Sequence, residues 1–380
     1  DIPTFIHKIA TDNVRGAART IFEANLLGTS CARVCPVEVL CAGSCVYNAW
    51  GRPPIEIGRL QRYATENGLA ADPALLSKHK EPSTGKRVAC IGAGPASLAA
   101  AGHLALDGHS VTIFEKRAYP GGLNTTGVAP YKLHAHDALA EVDMILALGD
   151  IEVKTGVEVD EAKAKQLLSD YDAVFIGIGL GPDRFLGLEG PGVVGATAYI
   201  ERLKLDPTTS LEGIRTALVV GGGNTAIDVA RELAQLGVPD VAMVYRGTEA
   251  KMSGYAHEMV GARKDGVRLI ESRSPVAGVR EAGRLVGLRV ARTDSAGEET
   301  LACDLVAVAA GQSRLTGLAL AFEGVALDDA GRVVVDDATC RTGNAKVYAG
   351  GDCVNGGKEV VNAAQHGKLA ARAITLSFGG

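Results

Sequence analysis

The sequence predicts an α/β fold in which two strand–turn–helix–strand units, the second inserted in the domain of the first, follow a small helical region. Three observations carry this. Residues 87–91 form an apolar strand that enters a glycine turn and an Ala/Leu-rich helix, and residues 111–114 supply the next strand. The same grammar returns as a strand at 216–220, a glycine turn, a helix over 225–236 and a strand over 241–245. Residues 1–80 instead read as helices interrupted by a cysteine-rich stretch.

Composition narrows the class. The chain has 380 residues, 47% of them apolar and 22% charged, enough for ordinary cores in two or three domains. Aromatics are 4% and the net charge is −5, so neither an aromatic single-strand platform nor a basic nucleic-acid face is expected. No apolar run approaches the roughly 20 residues that cross a bilayer. Residues 1–5 have no basic or apolar leader character, so no signal peptide is visible and a cytoplasmic chain is expected.

Taken in order, Ala17, Ala18, Ile21, Phe22 and Leu26 stand at helical spacing in residues 12–27, with Asp12 as the expected N-cap. A second helix is expected over 57–68, and the polar stretch 78–86 with its Pro and Gly reads as a linker. Further strands are expected at 173–176, 305–310 and 346–348. The expected domains are therefore residues 1–80, then 81–213 with 305–380, with 214–304 inserted.

The first glycine turn is Gly92-Ala-Gly94-Pro-Ala-Ser97, between a strand and a helix. Gly92 permits the tight turn, Gly94 lets backbone approach a pyrophosphate, and Ser97 is small enough for helix–strand packing. Glu115 closes the following strand, where a carboxylate can meet ribose hydroxyls. The second turn is Gly221-Gly-Gly223-Asn224-Thr225-Ala226, and its second strand ends on Tyr245 and Arg246 rather than on an acid. A cation there can meet an adenosine 2′-phosphate; a surface arginine without a ligand is the plain alternative. These are two Rossmann-like dinucleotide-binding domains. Gly350-Gly351-Asp352 and Gly121-Gly122-Leu123 accompany the first turn and suit a flavin's ribityl and pyrophosphate, so FAD is expected there and NAD(P)H at the inserted site.

Four of the eight cysteines, Cys31, Cys35, Cys41 and Cys45, fall within fifteen residues. Without an export signal, such a cluster points to a metal or redox site, and the scattered Cys90, Cys303, Cys340 and Cys353 read as small buried residues. The spacing lacks the paired knuckles of a zinc ribbon.

Together, Gly92–Ser97, Thr112-Ile-Phe-Glu-Lys116, Gly121-Gly-Leu123, Ala349-Gly-Gly-Asp352 and the pattern Cys31-x3-Cys35-Pro36-x4-Cys41-x3-Cys45 resemble a pyridine-nucleotide electron-input module. That module is shared by glutamate synthase small subunits and dihydropyrimidine dehydrogenases, and the resemblance covers essentially the whole chain. Gln61, in Ile55-Glu-Ile-Gly-Arg-Leu-Gln61, stands where the first branch typically carries Glu and the second Gln. The chain most resembles bacterial NAD-dependent dihydropyrimidine dehydrogenase electron-transfer subunits. The helical region would then be an iron–sulfur domain.

The resemblance implies FAD, [4Fe-4S] clusters and NAD(P)H, with hydride taken from the nicotinamide and single electrons leaving through clusters. Cys35, Cys41 and Gln61 match ligands of one cluster and Cys45 a ligand of another, whereas Cys31 matches a position that is not normally a ligand. The remaining ligands match an upstream cysteine group not contained in this sequence; the alternative is one cluster held by the four local cysteines. Lys132 falls where the family has a basic residue contacting flavin. NADH is favoured over NADPH, because Gly247 and Ser253 occupy places where a second arginine could stand. With no barrel of its own, the chain implies a hetero-oligomer with an FMN-containing catalytic subunit that reduces uracil or thymine, in pyrimidine degradation. A glutamate synthase partner is the nearest alternative, and a zinc-stabilised docking protein with degenerate nucleotide folds a distant one.

Overall fold

The structure, a computed structural model, describes residues 1–71, 75, 76 and 80–379. The chain divides into two compact units: residues 1–125, 136–180 and 314–380 form one, and residues 126–135 and 181–313 the other.

The first unit begins with α1 (Ile2–Ala10), α2 (Val14–Ala24), α3 (Gly28–Val34), α4 (Val46–Ala49) and α5 (Ile57–Ala71). Asn13, not the expected Asp12, caps α2: its side chain accepts the Gly16 N–H at 2.9 Å. Asp12 turns the chain between α1 and α2 at φ +58°, a left-handed conformation that a short polar residue tolerates. One face of α2 packs Ala17 and Ile21 with Phe5, Ile57 and Ala64. Its other face sends Phe22, and the turn after it Leu26, into the core of the following sheet, where Gly102 admits the Leu26 methyl: a Cβ at 102 would lie 2.4 Å from it.

The sheet that follows is built from β1 (Arg87–Ile91), α6 (Pro95–Leu106), β2 (Ser110–Glu115), α7 (Leu123–Thr126), α8 (Ala135–Leu146), β3 (Ile151–Thr155), α9 (Glu161–Asp170) and β4 (Ala173–Ile176). Of the expected linker, Lys78 and His79 lie outside the described residues.

The second unit holds β5 (Val193–Gly195), α10 (Ala196–Leu205), β6 (Thr216–Val220), α11 (Asn224–Gln235), β7 (Asp240–Val244), α12 (Ala256–Lys264), β8 (Arg268–Ile270), the antiparallel β9 (Arg273–Glu281), β10 (Arg284–Arg292) and β11 (Glu298–Ala302), and β12 (Leu305–Val308). Its main sheet is parallel, ordered β5-β12-β6-β7-β8. The return to the first domain, expected at 305, comes later. β12 pairs Leu305 with Ala217 and Val306 with Val193, and the first unit resumes at Arg314. β5 and α10, expected in the first domain, also belong here. The reason is strand pairing: β12, buried along its whole length, fills the slot between β5 and β6.

The first unit then closes with α13 (Thr316–Leu320), β13 (Val347–Ala349), α14 (Asp352–Asn355) and α15 (Val360–Ser377). Its parallel sheet has the order β13-β4-β1-β2-β3, with apolar cores on both faces, and the central β1 is buried from Val88 to Ile91. Gly367 brings α15 onto α6 so closely that a Cβ there would lie 2.3 Å from the Ala96 carbonyl. No described helix is long and apolar enough to cross a membrane.

Candidate functional site

At the carboxyl end of β1 the chain turns through Gly92 at φ +83°, where a Cβ would approach the Gly177 carbonyl to 2.8 Å. Gly94 is the N-cap of α6 and lies open, with no atom nearer than 3.8 Å to a Cβ built there, so an anion can come close to its backbone. Gly122, at φ +56°, puts its backbone against Gly94, and the Gly121 N–H donates to the Ala93 carbonyl at 2.8 Å. Leu123 opens α7 directly after it. Glu115 accepts the Ala93 N–H at 2.7 Å and the Arg117 N–H at 2.8 Å, which uses part of the acceptor capacity of its carboxylate. Gly351, at φ +76°, faces Ala96 in the first turn of α6. Motifs far apart in sequence thus meet around one turn.

Ser97 is fully buried, and its Oγ, which makes no hydrogen bond, fills the space where Gly177 lacks a Cβ. Asp352 begins α14 and accepts the Lys358 N–H at 3.1 Å; burial pushes its carboxyl up. Three neighbours carry no motif and sequence reasoning misses them. His366 Nδ1 accepts the Gly351 N–H at 3.0 Å. Arg314 Nη1 and Asn355 Nδ2 are buried donors without a partner, and Arg314 lies over Gly356. Orphaned donors beside Asp352 fit an acceptor-rich group such as a flavin.

In the second unit Gly221 takes φ +149°, and a Cβ there would reach 2.5 Å from the Ala309 carbonyl. Gly223 is the N-cap of α11, and a Cβ built there would lie 3.5 Å from Ser253 Oγ. Asn224 accepts the Tyr255 N–H at 2.9 Å, Thr225 is exposed, and the buried Ala226 lets the helix approach the strand. Tyr245 packs its ring against Gly222 and donates its hydroxyl to the Lys251 carbonyl at 2.8 Å, which shapes the loop that starts at Arg246. The Arg246 side chain is exposed.

Lys132, expected beside flavin, lies in the second unit, 2.7 Å from both Asp228 and Glu258, with its side chain 15% exposed. Two half-buried carboxylates hold its ammonium.

In the cysteine-rich region Cys35 ends α3, and Cys31 accepts a hydrogen bond from Asn25 Nδ2 at 3.1 Å. The Cys31 thiol beside it and, against burial, the N–H groups of Val361 and Val360 hold Cys35 below the ordinary thiol range. Cys45 caps α4 and is approached by the Ile55 N–H at 3.5 Å, while Cys41 is half-buried. Gln61 donates Nε2 to the Gly28 carbonyl at 2.8 Å. Among the described residues no three His, Cys, Asp or Glu side chains converge on one metal-sized point. The four local cysteines are therefore not gathered round one metal ion. Cysteine sulfur in this number, one of them biased toward thiolate, is still the donor chemistry of an iron–sulfur cluster.

Residues 86–367 match the family described as pyridine nucleotide-disulphide oxidoreductase. The chain belongs to that family. Residues 1–72 match a separate family, described as dihydropyrimidine dehydrogenase domain II with a 4Fe-4S cluster. The NAD-dependent dihydropyrimidine dehydrogenase subunit PreT of Escherichia coli K12 is 35% identical over 373 residues, covering 97% of this chain and 86% of that one. The glutamate synthase [NADPH] small chain of the same organism is 33% identical over 411 residues, covering 98% and 85%. Thioredoxin reductase from T. acidophilum has the same fold, with a TM-score of 0.64 at 22% identity over 77% of this chain and 98% of that one. The oxidoreductase is thus an FAD- and iron–sulfur-dependent NAD(P)H enzyme, as the resemblance implies.

Proposed function

We propose that the chain is the electron-input subunit of a dihydropyrimidine dehydrogenase, oxidising NADH and feeding a partner subunit that carries FMN and reduces uracil or thymine. The observation that carries this reading is Gln61. Its Nε2 is spent on the Gly28 carbonyl at 2.8 Å, so the free end of the side chain is the oxygen Oε1. An amide oxygen is the ligand that the dihydropyrimidine branch uses where the glutamate synthase branch has a carboxylate. A cytoplasmic hetero-oligomer follows from the same reading, and the eight free cysteines suit a reducing compartment.

FAD, when bound, supplies the exchange between two-electron nicotinamide chemistry and one-electron iron–sulfur chemistry. The chain's own residues do the positioning. Gly92, Gly94 and Gly122 clear the approach to a pyrophosphate, and Ser97 keeps α6 close to the sheet. Glu115 offers its remaining acceptor sites to ribose, while Leu123, Gly351 and Asp352 border the ribityl side. In the second unit Gly221, Gly223 and Ala226 shape the nicotinamide cofactor's pyrophosphate turn, Asn224 and Thr225 open α11 beneath it, and Arg246 stands at the adenosine end. Cys35, Cys41, Cys45 and Gln61 are proposed as cluster ligands.

Gln61→Glu tests the assignment by EPR of the reduced protein: a ligand role shifts the cluster signal, whereas an unchanged signal removes Gln61 from the ligand set. A glutamate synthase partner is the second reading, favoured by relatives of that name that match over 98% of the chain.

A further inference from the structure

We infer that Glu141 is a positioning residue that seats the cysteine-bearing helix α3 on the unit holding the first nucleotide site, and so fixes where Cys35 stands for electron transfer. α3 has seven residues, and its N-cap, Leu27, has no side-chain acceptor to offer the N–H groups of the first turn. The acceptor comes from far along the chain. Glu141, on α8, accepts the Thr29 N–H at 2.7 Å and the Ser30 N–H at 3.2 Å, and its second oxygen takes the Ser30 hydroxyl. The carboxylate is 1% exposed.

A second attachment runs parallel to the first. Asp137, one turn earlier on α8, meets Arg33 of α3 at 3.0 Å, and Arg33 also pairs with Glu66 of α5 at 2.6 Å. The Arg33 side chain is only 11% exposed, which strengthens its contact with Asp137 more than that with the wetter Glu66. One face of α8 therefore grips α3 at Ser30 and again at Arg33. At its other end α3 stops at Cys35, which faces the first N–H groups of α15, the helix after the one that Asp352 begins. Both ends of the cysteine helix are thus fastened to elements of the first unit.

Burying a carboxyl is costly unless its hydrogen bonds are made, and a short helix is capped at less cost by its own Ser or Asp. Supplying the cap from α8 instead ties the position of α3 to the nucleotide-binding sheet. Electron transfer falls off steeply with separation, so a helix free to shift would lose rate without losing any ligand.

The inference rests on the proposed path from flavin to cluster, and the test separates the two. In the anaerobic holoprotein, amide hydrogen exchange is followed at Thr29 and Ser30. NADH reduction of the flavin is followed by stopped-flow absorbance, and appearance of the reduced-cluster signal by freeze-quench EPR. Glu141→Ala is expected to raise exchange at Thr29 and Ser30, to leave flavin reduction and the KM for NADH unchanged, and to slow the cluster signal by about ten- to a hundredfold. Glu141→Gln, which keeps an acceptor oxygen, is expected to recover part of that rate. Asp137→Asn is expected to slow the cluster signal more mildly, and with Glu141→Gln it carries the comparison if the alanine variant does not fold. Cluster reduction at the wild-type rate despite faster exchange would overturn the inference, as would equal losses in both steps. A wild-type protein whose flavin is reduced while no cluster signal appears would overturn the path itself, and the inference with it.

Discussion

The Lys132 ammonium lies 2.7 Å from the Asp228 carboxylate, inside a half-buried network that also holds Tyr131, Arg231 and Glu258. Asp228, Arg231 and Glu232 all project from α11, the helix that follows the second glycine turn. Tyr131 donates its hydroxyl to Asp228 at 2.9 Å and its N–H to Glu232 at 3.1 Å, and Arg231 stacks over the Tyr131 ring. Segment 126–135 is thereby fastened to the second unit. Lys132→Met leaves the half-buried Asp228 without its cation and is expected to destabilise the protein by about 1–3 kcal/mol. Chemical unfolding measures that loss, and FAD affinity of the folded variant is expected to stay unchanged. A selective loss of FAD would return Lys132 to the flavin.

Burial pushes Glu141 up to about 7, from an ordinary value of 4.5. Its folded-state pKa is raised, so its contribution to stability is complete below about pH 4.5 and is lost as pH rises through about 7. The loss amounts to roughly 3 kcal/mol between those limits. Unfolding free energies at pH 5 and pH 8 measure it, and Glu141→Gln is expected to flatten that part of the profile. A profile unchanged by the substitution would mean that Glu141 titrates in its ordinary range.

Arg246 stands exposed where β7 ends, and only one cation follows the strand directly, because Gly247 comes next. Arg246→Ala is expected to raise the KM for NADPH about tenfold, the loss of one charge-assisted contact, and to leave that for NADH within about twofold. Steady-state kinetics with a one-electron acceptor provide the comparison. Equal losses with both cofactors would show that Arg246 acts elsewhere than at the 2′-position.

Gly122 combines φ +56° with backbone contact to Gly94. Gly122→Ala must hold a left-handed alanine whose Cβ lies 2.8 Å from the Gly94 Cα. A cost on the order of 1–3 kcal/mol is expected, together with lower FAD content in the purified protein. Flavin stoichiometry by absorbance checks it, and full occupancy would remove the Gly94–Gly122 contact from the cofactor site.

What the sequence revealed follows the range of each signal. The turn through Gly92 and Gly94 was legible because a glycine turn between strand and helix is written in adjacent residues. Asn13 replaces Asp12 as the cap of α2 because the choice between neighbouring cap residues depends on how tightly α1 turns into α2. The sheet that β12 joins was not legible: an apolar run such as 305–308 reads as a buried strand in either domain, and only pairing with Val193 and Ala217 decides. The ion pairing of Lys132 was not legible, because Glu258 lies 126 residues further along. The mount of α3 was hidden for the same reason, since Thr29 and Glu141 are 112 residues apart.

The measurement that tests the central claim most directly is anaerobic purification of the native protein with whatever accompanies it, followed by assay of NADH-dependent uracil reduction. The account predicts a co-eluting FMN-containing subunit and uracil reduced at the expense of NADH. A complex that oxidises NADH with a different partner and leaves uracil untouched would contradict it.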